Sequence, residues 1–312
     1  MYSEPEPATA TRMRDMYATA ASALRATPAG SRVAWGWRGR TLSRPVTSAT
    51  GEGWLRLVSA PADRAGGKLW EGPQEAEASM PAVVPRPRLR KRRVWTEGDH
   101  GYLAELYDMV TDPTVTSAEP ILRQAPDLDE AWWQGLDGAL TAIAGVRTSR
   151  MAVRQEYLDR AMPQFLGADI DTTVPVWATA HGDLHWANLT NPTLTLLDWE
   201  GWGLAPAGYD AAVLRAYSLL VPQTAREVRQ RLGRVLDTPA GRFAELAVTT
   251  ELLQTMSRGD NLELERPLRS RMGGCWLICD GPSVRSAVGA AGERVGGRPR
   301  VSLRARSGPR RR

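Results

Sequence analysis

Apolar and polar positions alternate along this chain with two different periods. Ala, Met, Leu and Arg recur with few breakers over residues 8–26, which reads as a helix ending before the turn signal Thr27-Pro28-Ala29-Gly30. Two short aromatic and branched runs follow, residues 33–37 and 53–58, separated by a Gly- and Ser-containing stretch; they predict strands of one antiparallel sheet. Residues 68–79 are acidic and Ala-containing but hold Pro73, so a helix is expected to begin near that proline, which a first turn tolerates. Residues 81–93, rich in Pro and Arg, are expected to run extended over the surface, and 102–110 reads as another strand. Beyond the turn signal Thr111-Asp112-Pro113 the helical period dominates, at 130–146, 150–166, 209–220, 225–236 and 240–256. The exception is 174–200, where strand-like runs flank a polar loop.

The pattern therefore predicts an α+β chain: a small lobe with an antiparallel sheet over residues 1–110, a larger helical lobe over 111–284, and a basic end segment. At 312 residues, with 42% apolar and 24% charged side chains, there is enough chain to bury a substantial core. No apolar run approaches the roughly 20 residues that cross a bilayer. No short apolar segment with a basic flank opens the chain, and the two cysteines, Cys275 and Cys279, do not make a disulfide framework, so a cytoplasmic location is expected. With no further Cys or His near them, they read as buried thiols.

The net charge of +5 suggests nucleic acid only at first sight. The excess resides in residues 285–312, rich in Arg, Gly, Ser and Pro, which read as a disordered tail without aromatic stacking residues; nucleic-acid binding is not expected. Lys68 and Lys91 are the only lysines, so abundant arginine says little about phosphate binding.

Chemistry concentrates in the polar loop His181-Gly182-Asp183-Leu184-His185-Trp186-Ala187-Asn188, which leads through an apolar run to Leu197-Asp198-Trp199-Glu200. The spacing of His181, Asp183, Leu184 and Asn188 equals that of the kinase catalytic loop. Phosphoryl transfer asks a protein for positioning more than covalent chemistry. A carboxylate must meet the acceptor hydroxyl, which suits Asp183; hard oxygens must hold magnesium on the nucleotide phosphates, which suits Asn188 and Asp198. The turn Asn191-Pro192 is expected to fold those two residues toward each other.

These two segments resemble the motif of the aminoglycoside phosphotransferases and their relatives, the choline, homoserine and fructosamine kinases. The resemblance implies a protein-kinase-like two-lobe fold and transfer of the γ-phosphoryl group of ATP or GTP to a hydroxyl of a small molecule. It implies Asp183 as catalytic base with His181 and His185 supporting its loop, Asn188 and Asp198 as magnesium ligands, and a structural role for Pro206, Asp210 and Ala212. The departures lie in the small lobe. Where the kinase pattern places a lysine paired with a helix glutamate, Arg56 stands in the strand, and among Glu71, Glu75 and Glu77 its expected partner is Glu75. Lys68 reads as a solvated helix-start residue, and Gly36, Gly39, Gly51 and Gly53 lack the spacing of a phosphate-cradling loop. These departures motivate a rival reading, a nucleotide-binding protein without turnover. Trp132 and Trp133 are expected in core and interlobe packing.

Overall fold

The computed structural model describes residues 3–117 and 119–271; the readings made for Cys275, Cys279 and the segment 285–312 fall outside them. Helix α1 (Pro7–Leu24) starts where the Glu6 carboxylate accepts the amides of Ala8 and Thr9 and ends at Arg25 in the left-handed conformation. Its buried positions, Ala10, Met13, Tyr17, Ala20, Ala21 and Leu24, recur every three or four residues and lie on the small lobe's sheet.

That sheet contains β1 (Ala26–Pro28), β2 (Ala34–Trp35), β3 (Thr41–Ser48), β4 (Gly51–Pro61), β5 (Leu89–Glu97) and β6 (His100–Asp108), with helix α2 (Lys68–Ser79) between β4 and β5. Every pairing is antiparallel, in the order β1-β3-β4-β6-β5 with β2 also on β3. Two strands differ from the sequence expectation. β3 occupies the stretch read as a connection, because Arg44 and Pro45 interrupt its alternation, and the extended basic segment pairs with β6 as an edge strand without a buried face. On β4, Leu55 and Leu57 point into the α1 core, so Arg56 between them points to the opposite face.

α2 begins at Lys68, more than a turn before Pro73, which stands inside the helix. Its Ala76, with Met80 just past its end and Val84, joins the buried cluster of the large lobe, while its Trp70 packs on Val58, Ala60 and Leu103 of the sheet. That lobe is built from α3 (Glu130–Ala144), α4 (Gln155–Leu166), the β7 (Trp177–Ala180) and β8 (Gly203–Pro206) pair, and α5 (Tyr209–Tyr217), α6 (Pro222–Arg231), α7 (Gly233–Leu236) and α8 (Pro239–Met256). The helix expected over 150–166 starts later because the amides of Ala152 and Val153 are taken by the Leu204 carbonyl, and that expected over 225–236 is split at Gly233. Between the polar loop and Asp198 there is no strand, only isolated bridges of Leu189 with Leu196 and of Thr190 with Thr114; the partner of β7 is β8. Trp132 and Trp133 pack with Trp186 in the large-lobe core under the loop, and the Trp132 indole donates to the Thr190 carbonyl at 2.8 Å. Among the described residues no helix is long and apolar enough to cross a membrane.

Candidate active site

Strand β7 delivers the chain to His181, which is fully buried and fixed on three sides. Its amide donates to Asp210 Oδ2 at 2.7 Å and the next amide, of Gly182, to Asp210 Oδ1 at 3.0 Å, so one carboxylate of α5 clamps the entrance of the loop. The imidazole accepts at Nδ1 from the Asp183 amide (3.3 Å), which leaves Nε2–H to donate to the Leu197 carbonyl (2.9 Å). Burial lowers the His181 pKa, and the two bonds require the neutral ring. Gly182 is demanded here: φ is 84°, and a Cβ would stand 2.9 Å from the Gly201 carbonyl oxygen.

Leu184 and Trp186 are driven into the core, and Asp183, between the buried His181 and Leu184, is pushed outward, with 52% of its side chain open to solvent. Its surroundings act in opposite directions on the carboxyl: burial raises the pKa, while His185, His181 and the Asn188 amide lower it and prevail. Asp183 is therefore a carboxylate at neutral pH. Asn188 Nδ2 donates to the Asp183 carbonyl (2.9 Å) and lies 3.4 Å from its Oδ2, which commits the amide nitrogen and leaves the amide oxygen as the group able to ligate a cation. His185 Nε2 lies 3.6 Å from Asp183 Oδ2, with its ring edge-on to Tyr217.

The chain then doubles back. The Leu197 amide donates to the Asn188 carbonyl at 2.9 Å, so Asp198 starts beside Asn188, as the turn at Asn191-Pro192 predicts. Asp198 adopts φ 64°, a left-handed conformation that costs a non-glycine residue about 1–3 kcal/mol. Its side chain is 42% exposed.

Arg56 faces this pair from β4. Glu105 stands directly opposite it across the β4–β6 ladder and so shares its face of the sheet, with Nη1 to Oε2 at 3.8 Å. Nη1 is also 3.8 Å from Asp198 Oδ1, and Nη2 is hydrogen-bonded to Glu200 Oε1. Burial opposes the guanidinium charge, but Glu200, Asp198 and Glu105 outweigh it and raise the Arg56 pKa. The expected partner Glu75 does not reach Arg56: its carboxylate is bound by Arg150 of the large lobe, because α2 packs on that lobe and turns this face away from β4. Lys68 is half-buried, its Nζ 3.4 Å from the Ala152 carbonyl, and fastens α2 to the same lobe. Sequence reasoning missed Glu105 and Arg150, and missed that Glu200 serves Arg56. One signal existed: Glu105 is the lone acid in the apolar run of β6.

Between the sheet and this loop lies a cavity of about 330 Å³, lined by Trp35, Trp54, Arg56, Tyr107, Leu197 and Asp198 among others. The turn of Gly36 and Gly39 joins β2 to β3, and the residues that flank it, Trp35 and Thr41, line the cavity. Of the other acids, Asp210 and Glu245 are spent on internal partners, Glu251 accepts from the Tyr209 hydroxyl, and Asp260 is exposed.

No family model and no curated protein matches this chain. Solved structures do. The crystal structure of aminoglycoside phosphotransferase APH(4)-Ia superposes with a TM-score of 0.56 at 14% identity, covering 86% of this chain and 99% of that one. The apo form of a thermostable mutant of the same enzyme gives a TM-score of 0.55 at 13% identity, covering 81% and 96%. The likeness at these identities is one of architecture: the chain has the two-lobed, protein-kinase-like fold that aminoglycoside phosphotransferase APH(4)-Ia displays.

Proposed function

We propose that this protein is a magnesium-dependent small-molecule kinase that transfers the γ-phosphoryl group of ATP or GTP to a hydroxyl of its substrate. The observation that carries the reading is the meeting, at one cavity between two lobes, of Asp198 from the large lobe with Arg56 from the sheet, with Asn188 held next to the Asp198 segment and Asp183 next to Asn188. Residues 1–110 then form the nucleotide-binding lobe and 111–284 the catalytic lobe.

Asp183 is the base. It takes the proton of the acceptor hydroxyl as the new oxygen–phosphorus bond forms and the bond from the γ-phosphorus to the bridging oxygen breaks. Asn188 and His185 hold that carboxylate in place from within the loop. The donor set fits magnesium: a partly exposed carboxylate, Asp198, and an amide oxygen, Asn188, are hard ligands, and an ion that keeps several waters and phosphate oxygens needs no more from the protein. Bound there, magnesium would supply charge neutralisation on the phosphate oxygens. Arg56 meets phosphate charge from the other side, with the aromatic rings of Trp35, Trp54 and Tyr107 offering apolar walls for a base.

One feature favours the rival, nucleotide binding without turnover: an arginine stands where the kinase pattern has a lysine. Consumption of ATP or GTP over a panel of hydroxylated small molecules separates the two. Asp183→Asn is expected to lower that turnover by about 10² to 10⁴ while leaving nucleotide affinity intact. Unchanged turnover in this variant would falsify the assignment of the base.

A further inference from the structure

Helix α2 is held from both lobes: Trp70 packs on Val58, Ala60 and Leu103 of the sheet and Glu77 accepts from Arg88 and the Leu89 amide, while the side that carries Glu75 is pinned to the large lobe. The Arg150 guanidinium, 9% exposed, binds Glu75, donates to the Lys68 carbonyl at 3.0 Å and to the Trp202 carbonyl at 3.2 Å, and stacks on the Trp202 ring. The Trp202 indole donates to the Gly72 carbonyl at 2.8 Å. A helix pinned at these points cannot swing a carboxylate to β4. Yet the same Arg150 also donates to the Glu200 carbonyl at 3.3 Å, and the Glu200 side chain holds Arg56.

Accepting the kinase reading above, on which this rests, we propose that Glu200 is the positioning residue that aims Arg56 at the nucleotide phosphates, with Arg150 fixing the Glu200 backbone, in place of any carboxylate from α2. The chemistry of arginine makes the exchange workable. A lysine ammonium is a single point, whereas the guanidinium fork can give one nitrogen to a carboxylate and present the others to an anion. Nη2 is the nitrogen spent on Glu200; Nη1 stands 3.8 Å from both Glu105 and Asp198, beyond a direct hydrogen bond, and is the donor a phosphate would take. Glu105 does not aim the fork, since its Oε2 stands 3.8 Å from Nη1 and takes its hydrogen bond from the Tyr107 hydroxyl at 2.9 Å. One short segment, 198–200, then sets both the metal ligand and the phosphate-binding cation.

Calorimetric titration of the full chain with ATP and with GTP, at fixed and at raised magnesium, tests this. Glu200→Gln is expected to weaken nucleotide binding by about tenfold or more, and excess magnesium is expected not to restore it. Glu75→Gln is expected to stay within about threefold of wild type, because its partner is a structural one. Arg56→Lys should weaken binding similarly, and adding Glu200→Gln to it should cost little more, since the two act as one unit. A larger loss in Glu75→Gln than in Glu200→Gln overturns the proposal, as does recovery of Glu200→Gln by magnesium, which would make Glu200 a metal ligand. If Glu200→Gln does not fold, Glu200→Asp takes its place: it keeps the charge but shortens the reach, and wild-type affinity there also overturns the proposal. Failure of the wild-type chain to bind either nucleotide defeats the kinase reading itself, a different result from wild-type binding that Glu200→Gln leaves unchanged.

Discussion

Asp198 combines a strained backbone with a crowded charge. Its φ of 64° carries the cost of a left-handed residue, and its carboxylate shares Arg56 with Glu105 and Glu200, so three negative groups face one guanidinium. Burial raises the Glu200 pKa, with Asp198 adding to it against the pull of Arg56. What Asp198 gains in return is a partly exposed contact at 3.8 Å, of the kind that contributes at most about 1 kcal/mol. The backbone strain exceeds that contact. Asp198→Gly is therefore expected to stabilise the protein by about 1 kcal/mol while abolishing magnesium-dependent nucleotide binding, measured by thermal denaturation and calorimetry. A variant that melts lower, or that still binds magnesium nucleotide normally, contradicts this account of the residue.

At the scale of the element, α2 illustrates a glycine required by packing. Within a helix, replacing Gly72 by alanine ordinarily stabilises by about 1 kcal/mol. Here the added Cβ would stand 2.4 Å from the Glu200 carbonyl oxygen and 2.8 Å from that of Trp199, both backbone atoms that cannot rotate away. Overpacking of this kind costs about 1–3 kcal/mol, so the sign reverses. Gly72→Ala is expected to lower the melting temperature. Because the displaced backbone carries Glu200 and follows Asp198, nucleotide affinity is expected to fall too. Gly138, in α3, is the control: nothing lies within 4 Å of its added Cβ, and alanine there should stabilise.

The described residues divide their buried side chains among a cluster of α1 with the sheet, a larger cluster of the helical lobe that α2 joins through Ala76, and a small one that sets Trp70 of α2 on Val58, Ala60 and Leu103 of the sheet. The cavity between the first two takes residues from both. A ligand there bridges the two clusters and stabilises by mass action, about 2.7 kcal/mol at a hundred times its dissociation constant. For a chain of this size that corresponds to a rise of roughly 5–10 °C in melting temperature. ATP or GTP with magnesium is expected to produce the rise, chelation of the magnesium to remove most of it, and Asp198→Gly to lose it. A rise of equal size without magnesium would place the nucleotide somewhere other than beside Asn188 and Asp198.

The loop from His181 to Asp198 was legible because it is local: its residues lie close in sequence, and a single turn folds Asn188 back beside Leu197. The helices α1 and α3 were legible for a similar reason, since a buried stripe leaves a period that neighbouring residues carry. β3 and β5 were not, because an interrupted alternation and a strand with no buried face leave no period to read. The partner of Arg56 lay furthest from view. Glu75 and Glu200 both stand at reasonable places in sequence, and the choice between them rests on how α2 docks. Arg150, 75 residues after Glu75, draws that carboxylate to the large lobe, while Glu200, 144 residues after Arg56, closes on the guanidinium. Ion pairs between distant segments depend on the relative placement of whole elements, and that placement is decided by the packing of their apolar faces rather than by the residues that meet.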